Sequence, residues 1–298
     1  MLKWPWSLRR TIQEAVNALR DLKGPQVILI NPGTYNEQVH IEYGDPLTIF
    51  GKNPEDASNT PNVVTIRSSR SAKAAGSNSA SATLYVKKDD FALYYINIIN
   101  DFGNGTDTQA LALSAEGLRH GYYESYFSSF QDTVGTFRGV HYFSKCWITG
   151  AVDFIFSKNV MAWFDQSAIA IQKGSLEPIT ASGRLPNDTL GFLVFNRVKV
   201  FSVGAAAKSA YLGRPWRKGS RVAFQNSYLG DVVHPDGWIS WDRTEQKLDD
   251  VQFQEYGNHG PGSIGPRKYA TMLAAPHLPE EILGRDYQKW VDPRFPPS

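Results

Sequence analysis

Gln109, Gln131 and Asp153 are evenly spaced along the chain, inside the motifs TQALAL (108–113), FQDTV (130–134) and GAVDFIF (150–156), and Asp132 adjoins the middle one. Two carboxylates and two carboxamides are the components of an acyl-transfer centre. One carboxylate attacks an activated carbonyl, a second carboxyl protonates the leaving group, and amide N–H groups hold the oxyanion. That division of labour requires the aspartates to differ in pKa. A nearby cation keeps Asp153 ionised, and the adjacent negative charge keeps Asp132 protonated. The cation candidate is Arg214 in YLGRPW (211–216), where Gly213 and Pro215 constrain the backbone. Trp216 beside it offers a ring face to a pyranose while the guanidinium pairs with a carboxylate, a combination suited to a sugar acid. Singly, each motif has a plainer reading: a QD pair is a solvated turn, GRPW a turn with a core tryptophan, and Asp153 an internally satisfied polar group. The joint spacing favours chemistry.

The step from 109 to 131, repeated from 131 to 153, fits one coil of a parallel β-solenoid, whose adjacent strands lie about 4.8 Å apart, so that residues one period apart stack. The expectation is that Gln109, Gln131 and Asp153 point outward from consecutive coils into one groove, with Arg214 and Trp216 arriving from a later coil. Short β-rich runs such as LTIF, VVTI, FALYYINIIN and GFLVFNRVKV fill residues 26–242, broken by Gly, Asn, Asp and Ser. A sandwich or barrel would give similar punctuation. The recurrence of LYYINII, YYESYF and YFSKCWI from Leu93, Tyr122 and Tyr142 favours the solenoid, with a loop inserted at DFGNGTDT (101–108). TIQEAVNALRDL places Ile12, Val16, Leu19 and Leu22 on one face of a helix spanning 11–22. The small-residue stretch 67–82 reads as a mobile loop over or beside the coils. After residue 250 the chain is Pro- and Gly-rich, with a short helix around PEEILGRDYQKWV, and is expected to wrap back as a cap.

Among the 298 residues, 42% are hydrophobic, with 8 Trp, 14 Tyr and 16 Phe, enough to build a core. We expect one domain over residues 11–298, preceded by an atypical segment, 1–10. A net charge of +2 is too mild for a nucleic-acid groove. No apolar run approaches the roughly 20 residues that span a bilayer. Cys146 is the only cysteine, which rules out an intramolecular disulfide, and FSKCWIT reads as a buried strand thiol. MLKWPWSLRR lacks the apolar core of a signal peptide. Sequons stand at Asn104 and Asn187.

Taken in order, TIQEAV (11–16), NPGTYNEQV (31–39), SATLYV (81–86), QALAL (109–113), QDT (131–133), GAVDFIF (150–156), TASGR (180–184) and YLGRPW (211–216) resemble the pectin methylesterases, with the NPGTY form closer to fungal and other microbial members. The resemblance implies a right-handed parallel β-helix, an extracellular location, no metal or organic cofactor, and hydrolysis of the C6 methyl ester of polygalacturonate. A monomer acting on methylated pectin, with no nucleic-acid or membrane partner, is expected. By motif, Asp153 becomes the nucleophile, Asp132 the acid and then base, Gln131 and Gln109 the oxyanion site, and Arg214 and Trp216 substrate binders, with Arg214 also touching Asp153. Two departures stand out. Ser157 replaces the usual Gly after DFIF, implying a different local turn, and Ser182 stands where Gln or His is commoner, implying an altered groove contact. A missing first strand before TIQ would leave the N-terminal coil without a pairing partner. A catalytically weak polygalacturonate-binding β-helix is the alternative, and a glycosidase using paired aspartates on the same architecture is a third reading.

Overall fold

Burial alternates along Leu47–Gly51 and Ile96–Asn100, so that every second residue is buried. Strands of this kind need a partner along each edge, and here the next coil supplies it. The computed structural model describes residues 8–52, 62–104, 108–174 and 177–298. Most of the atypical N-terminal segment, and Gly105 and Thr106 of the first sequon, lie outside the described residues. Among those described, every strand pairing is parallel. One row runs Gln26, Leu47, Phe91, His120, His141, Ala162, Leu193, Val222, Phe253, Ala270, each residue one coil beyond the last. A second sheet stacks Gly33–Asn36, Val64–Ser68, Ile96–Asn100, Tyr126–Ser128, Trp147–Gly150, Ala168–Ile171, Lys199–Ser202 and Tyr228–Leu229. The fold is the parallel β-helix expected from the sequence.

Register explains the core. It brings Tyr122, Phe143, Phe164, Phe195 and Phe224 into one internal column, their rings stacked at 4.5, 4.5, 4.5 and 4.4 Å. The turn after each of these strands needs one left-handed residue. Glu124, Lys145, Gln166, Arg197 and Asn226 take that role in successive coils, as Tyr95 does one coil earlier, with φ between 44° and 57°. Three long strands, Leu113–Tyr123, Val134–Ser144 and Ile155–Asp165, cross from one face of the helix to another. The middle one bends at Gly139, where φ is +107° and a Cβ would overlap the Gly117 carbonyl.

Several local elements differ from expectation. The first helix is Ile12–Asn17, opened by a Thr11–Glu14 capping box. Beyond it the hydrogen bonds shorten to i→i−3 (Leu19 to Val16, Arg20 to Asn17), and the tighter turn leaves Leu22 exposed. Residues 67–82 are not a bare loop: Ala72–Ala75 and Asn78–Ser81 are short helices capped by Ser71 and Ser77. Pro279–Leu283 is helical as expected. The chain after it lies along the side of the coils, with Ile282, Leu283, Val291 and Phe295 buried against Tyr94, Tyr123, Tyr142 and Trp163. Tyr142 donates to the Phe295 carbonyl at 3.0 Å. Cys146 is buried, in the turn before Trp147–Gly150 rather than in a strand. Ser157 sits inside Ile155–Asp165, in register with Thr136 and Ser182, so no turn exists there to alter. Ser182 is fully buried and accepts from the Arg221 N–H at 3.3 Å, away from any groove.

Candidate active site

Each coil turns a corner between the eight-stranded sheet and the long strands, and the candidate residues occupy that corner. Gln109 pairs with Gln131 across adjacent coils, and Gln131 pairs with Val152 in the next. The second structural step is therefore one residue shorter than the first. Asp153 falls one residue past the glutamine column, and Asp132 stands level with it, as the register of Val134 with Ile155 confirms. Both aspartates are in the left-handed region, with φ +64° at Asp132 and +45° at Asp153, a conformation Asp adopts more readily than most residues. Their backbones are pinned there: the Asp132 N–H donates to the Val152 carbonyl at 3.2 Å and the Asp153 N–H to Pro178 at 2.8 Å.

Arg214 lies near the end of the strand Ala210–Pro215 and grips Asp153 with both arms, Nε to Oδ1 at 3.0 Å and Nη2 to Oδ2 at 2.6 Å. Its guanidinium lies 4.2 Å from the centre of the Trp241 ring, and Lys247 lies 4.3 Å from the same centre. Asp132 accepts at Oδ2 from the Asn78 amide at 2.9 Å. Thr108 donates to Gln131 Oε1 at 3.1 Å.

Both aspartates are buried, Asp132 at 8% exposure and Asp153 at 5%. Burial raises the Asp132 carboxyl well above its ordinary value, and the Asp153 charge adds to that, opposed by Asn78 and Arg214. Burial also raises Asp153, against the pull of the Arg214 fork. Glu177 is raised by burial, with Asp153 adding to it and Arg214 opposing. The pair is thus unequal, with the larger rise at the aspartate that lacks the arginine fork.

Register also builds the floor. His40, Tyr85, Ser114, Gly135, Phe156, Ala181 and Arg214 are one row across seven coils. Phe156 meets Phe137 edge-on at 5.4 Å and Trp216 at 6.1 Å, and Lys158 stands over both Phe137 and Trp216. All six sequence candidates gather at this corner and floor. Asn78, Thr108, Phe156 and Trp241 join them without having been singled out by sequence. Phe156 lies three residues from Asp153 within its own motif, a signal open to reading, whereas Asn78 is one polar residue among many small ones. Among the described residues no three or more His, Cys, Asp or Glu side chains converge as a metal requires. What the corner holds is a carboxylate fixed by a guanidinium, a second carboxyl biased toward its acid form, and two carboxamides.

Known proteins share this architecture. The Pectinesterase family model matches residues 7–269. Pectinesterase A of Emericella nidulans is 36% identical over 285 residues, covering 95% of this chain and 85% of its own. The crystal structure of the pectin methylesterase from Aspergillus niger is 35% identical, with a TM-score of 0.88 over 96% of this chain and 94% of that one. The pectin methylesterase from carrot is 25% identical, with a TM-score of 0.83 over 97% and 93%. By fold, by corner chemistry and by these likenesses, the chain belongs to the pectinesterase family, the carboxylic ester hydrolases that remove methyl esters from pectin.

Proposed function

We propose that Asp153 is the nucleophile and Asp132 the acid and then base in hydrolysis of the C6 methyl ester of polygalacturonate. A carboxylate oxygen of Asp153 bonds to the ester carbonyl carbon, and the amides of Gln109 and Gln131 hold the resulting oxyanion. The C–OCH3 bond then breaks, and the departing oxygen takes the proton of Asp132 and leaves as methanol. The acyl group remains on Asp153 as a mixed anhydride. Asp132, now ionised, takes a proton from water as the water oxygen attacks that acyl carbon. Asp153 leaves as a carboxylate, the product is a galacturonate carboxyl group, and both aspartates regain their starting states.

One observation carries this assignment: the Arg214 fork holds Asp153 while Asp132, level with it one coil away, lacks such a partner and is driven toward its protonated form. Arg214 and Trp216 bind the uronate chain, with Phe156 beneath it. Asp153→Ala is expected to abolish methanol release from methylated pectin, and near wild-type turnover would sink the assignment. Residues 11–298 act as one domain and as a monomer outside the cell. Light scattering of the purified protein at working concentration checks the monomer, and a dimer would refute it.

A further inference from the structure

We infer that Asn78 is a positioning residue for this reaction, fixing which oxygen of Asp132 carries the proton that leaves with methanol. The inference rests on the assignment of Asp132 as the acid. The Asn78 Nδ2 lies 2.9 Å from Asp132 Oδ2. An amide nitrogen donates and has no lone pair to offer, so Oδ2 must act as an acceptor. The carbonyl oxygen of a neutral carboxyl accepts better than its hydroxyl oxygen. The bond therefore settles the double bond on Oδ2 and the hydrogen on Oδ1, the oxygen free to deliver it.

Asn78 is itself held in place from two directions. Ser77 caps the short helix it opens, accepting from the Ala80 N–H at 3.2 Å. Ser81 donates to the Asn78 carbonyl at 2.6 Å and is anchored to the coils, its hydroxyl accepting from Leu111 N–H at 3.2 Å and its carbonyl from Asn100 at 2.9 Å. The same segment reaches the oxyanion side, where the Ala72 N–H donates to the Gln109 carbonyl at 2.7 Å. Residues 70–82 thus form a strap fastened to both the acid and an oxyanion glutamine.

The charged groups acting on Asp132 are Asp153, which disfavours its ionisation, and Arg214, which favours it. The Asn78 N–H also favours the ionised form. Without that donor Asp132 keeps its proton to higher pH, while the proton is no longer confined to Oδ1.

The test is the pH profile of methanol release for Asn78→Ala and for the similarly branched, uncharged Asn78→Leu. In both, the alkaline limb of kcat/KM is expected to move up by about one pH unit, with kcat falling roughly tenfold at the optimum and KM within about twofold. Asn78→Leu keeps the branched four-atom skeleton of the side chain, so the comparison survives if Asn78→Ala fails to fold. A folded variant whose kcat falls equally at every pH, its alkaline limb unmoved, overturns the inference. Asp153→Ala run in parallel separates the two layers. If it is inactive while the limb stays put, only the role of Asn78 fails. If it turns over, the parent assignment fails and this one with it.

Discussion

Thr108 donates its hydroxyl hydrogen to the carboxamide oxygen of Gln131 at 3.1 Å, which commits the other end of that amide, its NH2, to face away from Thr108. A glutamine proposed to hold an oxyanion has to present hydrogen rather than oxygen, and a threonine one coil back settles the choice. Thr108→Val, which keeps the shape of this buried side chain, is expected to lower kcat roughly fivefold at unchanged KM, the worth of one hydrogen bond. Gln131→Leu, which removes the donor itself, is expected to lower kcat by about 10²–10³. Steady-state methanol assays check both, and equal effects from the two would refute the ranking.

Arg214 opposes the upward pull of burial on Asp153. Taking the guanidinium away raises the nucleophile further, so its carboxylate forms only at higher pH. Arg214→Gln should move the acid limb of kcat/KM upward by about one to two units. Arg214→Lys keeps a charge without the two-armed geometry and is expected to fall between. An acid limb that stays in place in Arg214→Gln would mean that this cation does not set the ionisation of Asp153.

At Asp132 catalysis and stability pull in opposite directions. Its folded-state pKa lies above the unfolded one, so between those two values the folded state holds a proton that the unfolded state has released. Stability from this residue is greatest below the ordinary carboxylate range and declines as pH rises through that window. Asparagine is neutral at every pH and also tolerates φ +64°. Asp132→Asn is therefore expected to be inactive yet more stable than wild type by about 1–3 kcal/mol at neutral pH, with the gain vanishing near pH 3. Urea unfolding at a series of pH values measures this, and a gain that did not depend on pH would contradict it.

His120 and His141 stack face to face at 4.5 Å in the interior, in register on adjacent coils. Burial lowers the pKa of His120 from 6.5 to about 3, and burial together with the neighbouring His120 pushes that of His141 well below its ordinary value. The unfolded chain takes up protons below about pH 6.5 that the folded one refuses, so stability falls as pH drops through that window. The loss is at most about 1.36 kcal/mol per pH unit for each histidine. His141→Phe keeps a stacking ring without a titrating nitrogen and should flatten the slope of unfolding free energy between pH 6 and 4. An unchanged slope would assign acid sensitivity to other groups.

Residue types and intervals make much of the fold legible. A β-rich stretch whose motifs recur at an even step points to stacked coils, and the residues carrying the step are the ones that meet at the corner. The one-residue slip between Gln131 and Asp153 is not legible, because the chain spends one residue more between Gln109 and Leu113 than between Gln131 and Val134, a difference that only the register reveals. Asn78 is hidden for another reason. Its partner, Asp132, is remote in sequence, and the contact exists only because Ser71 and Ser77 cap two turns of helix in a stretch that composition marks as loop. Ser157 and Ser182 read by sequence as changes in a turn and a groove. Register shows them as neighbours in one buried row, where a hydroxyl in place of another small or polar group affects packing first.

Coil length along the chain has a topographic consequence. From Leu113 to Val134 and on to Ile155 the two steps are equal and short, whereas the chain takes a longer path from Val39 to Leu84 and again from Thr180 to Gly213. The reacting pair sits on the short coils. Longer coils stand on either side, one carrying the strap that holds Asn78 and the other the segment that precedes Arg214. Insertions and deletions can change those flanking segments without changing the register that sets one carboxylate level with the other.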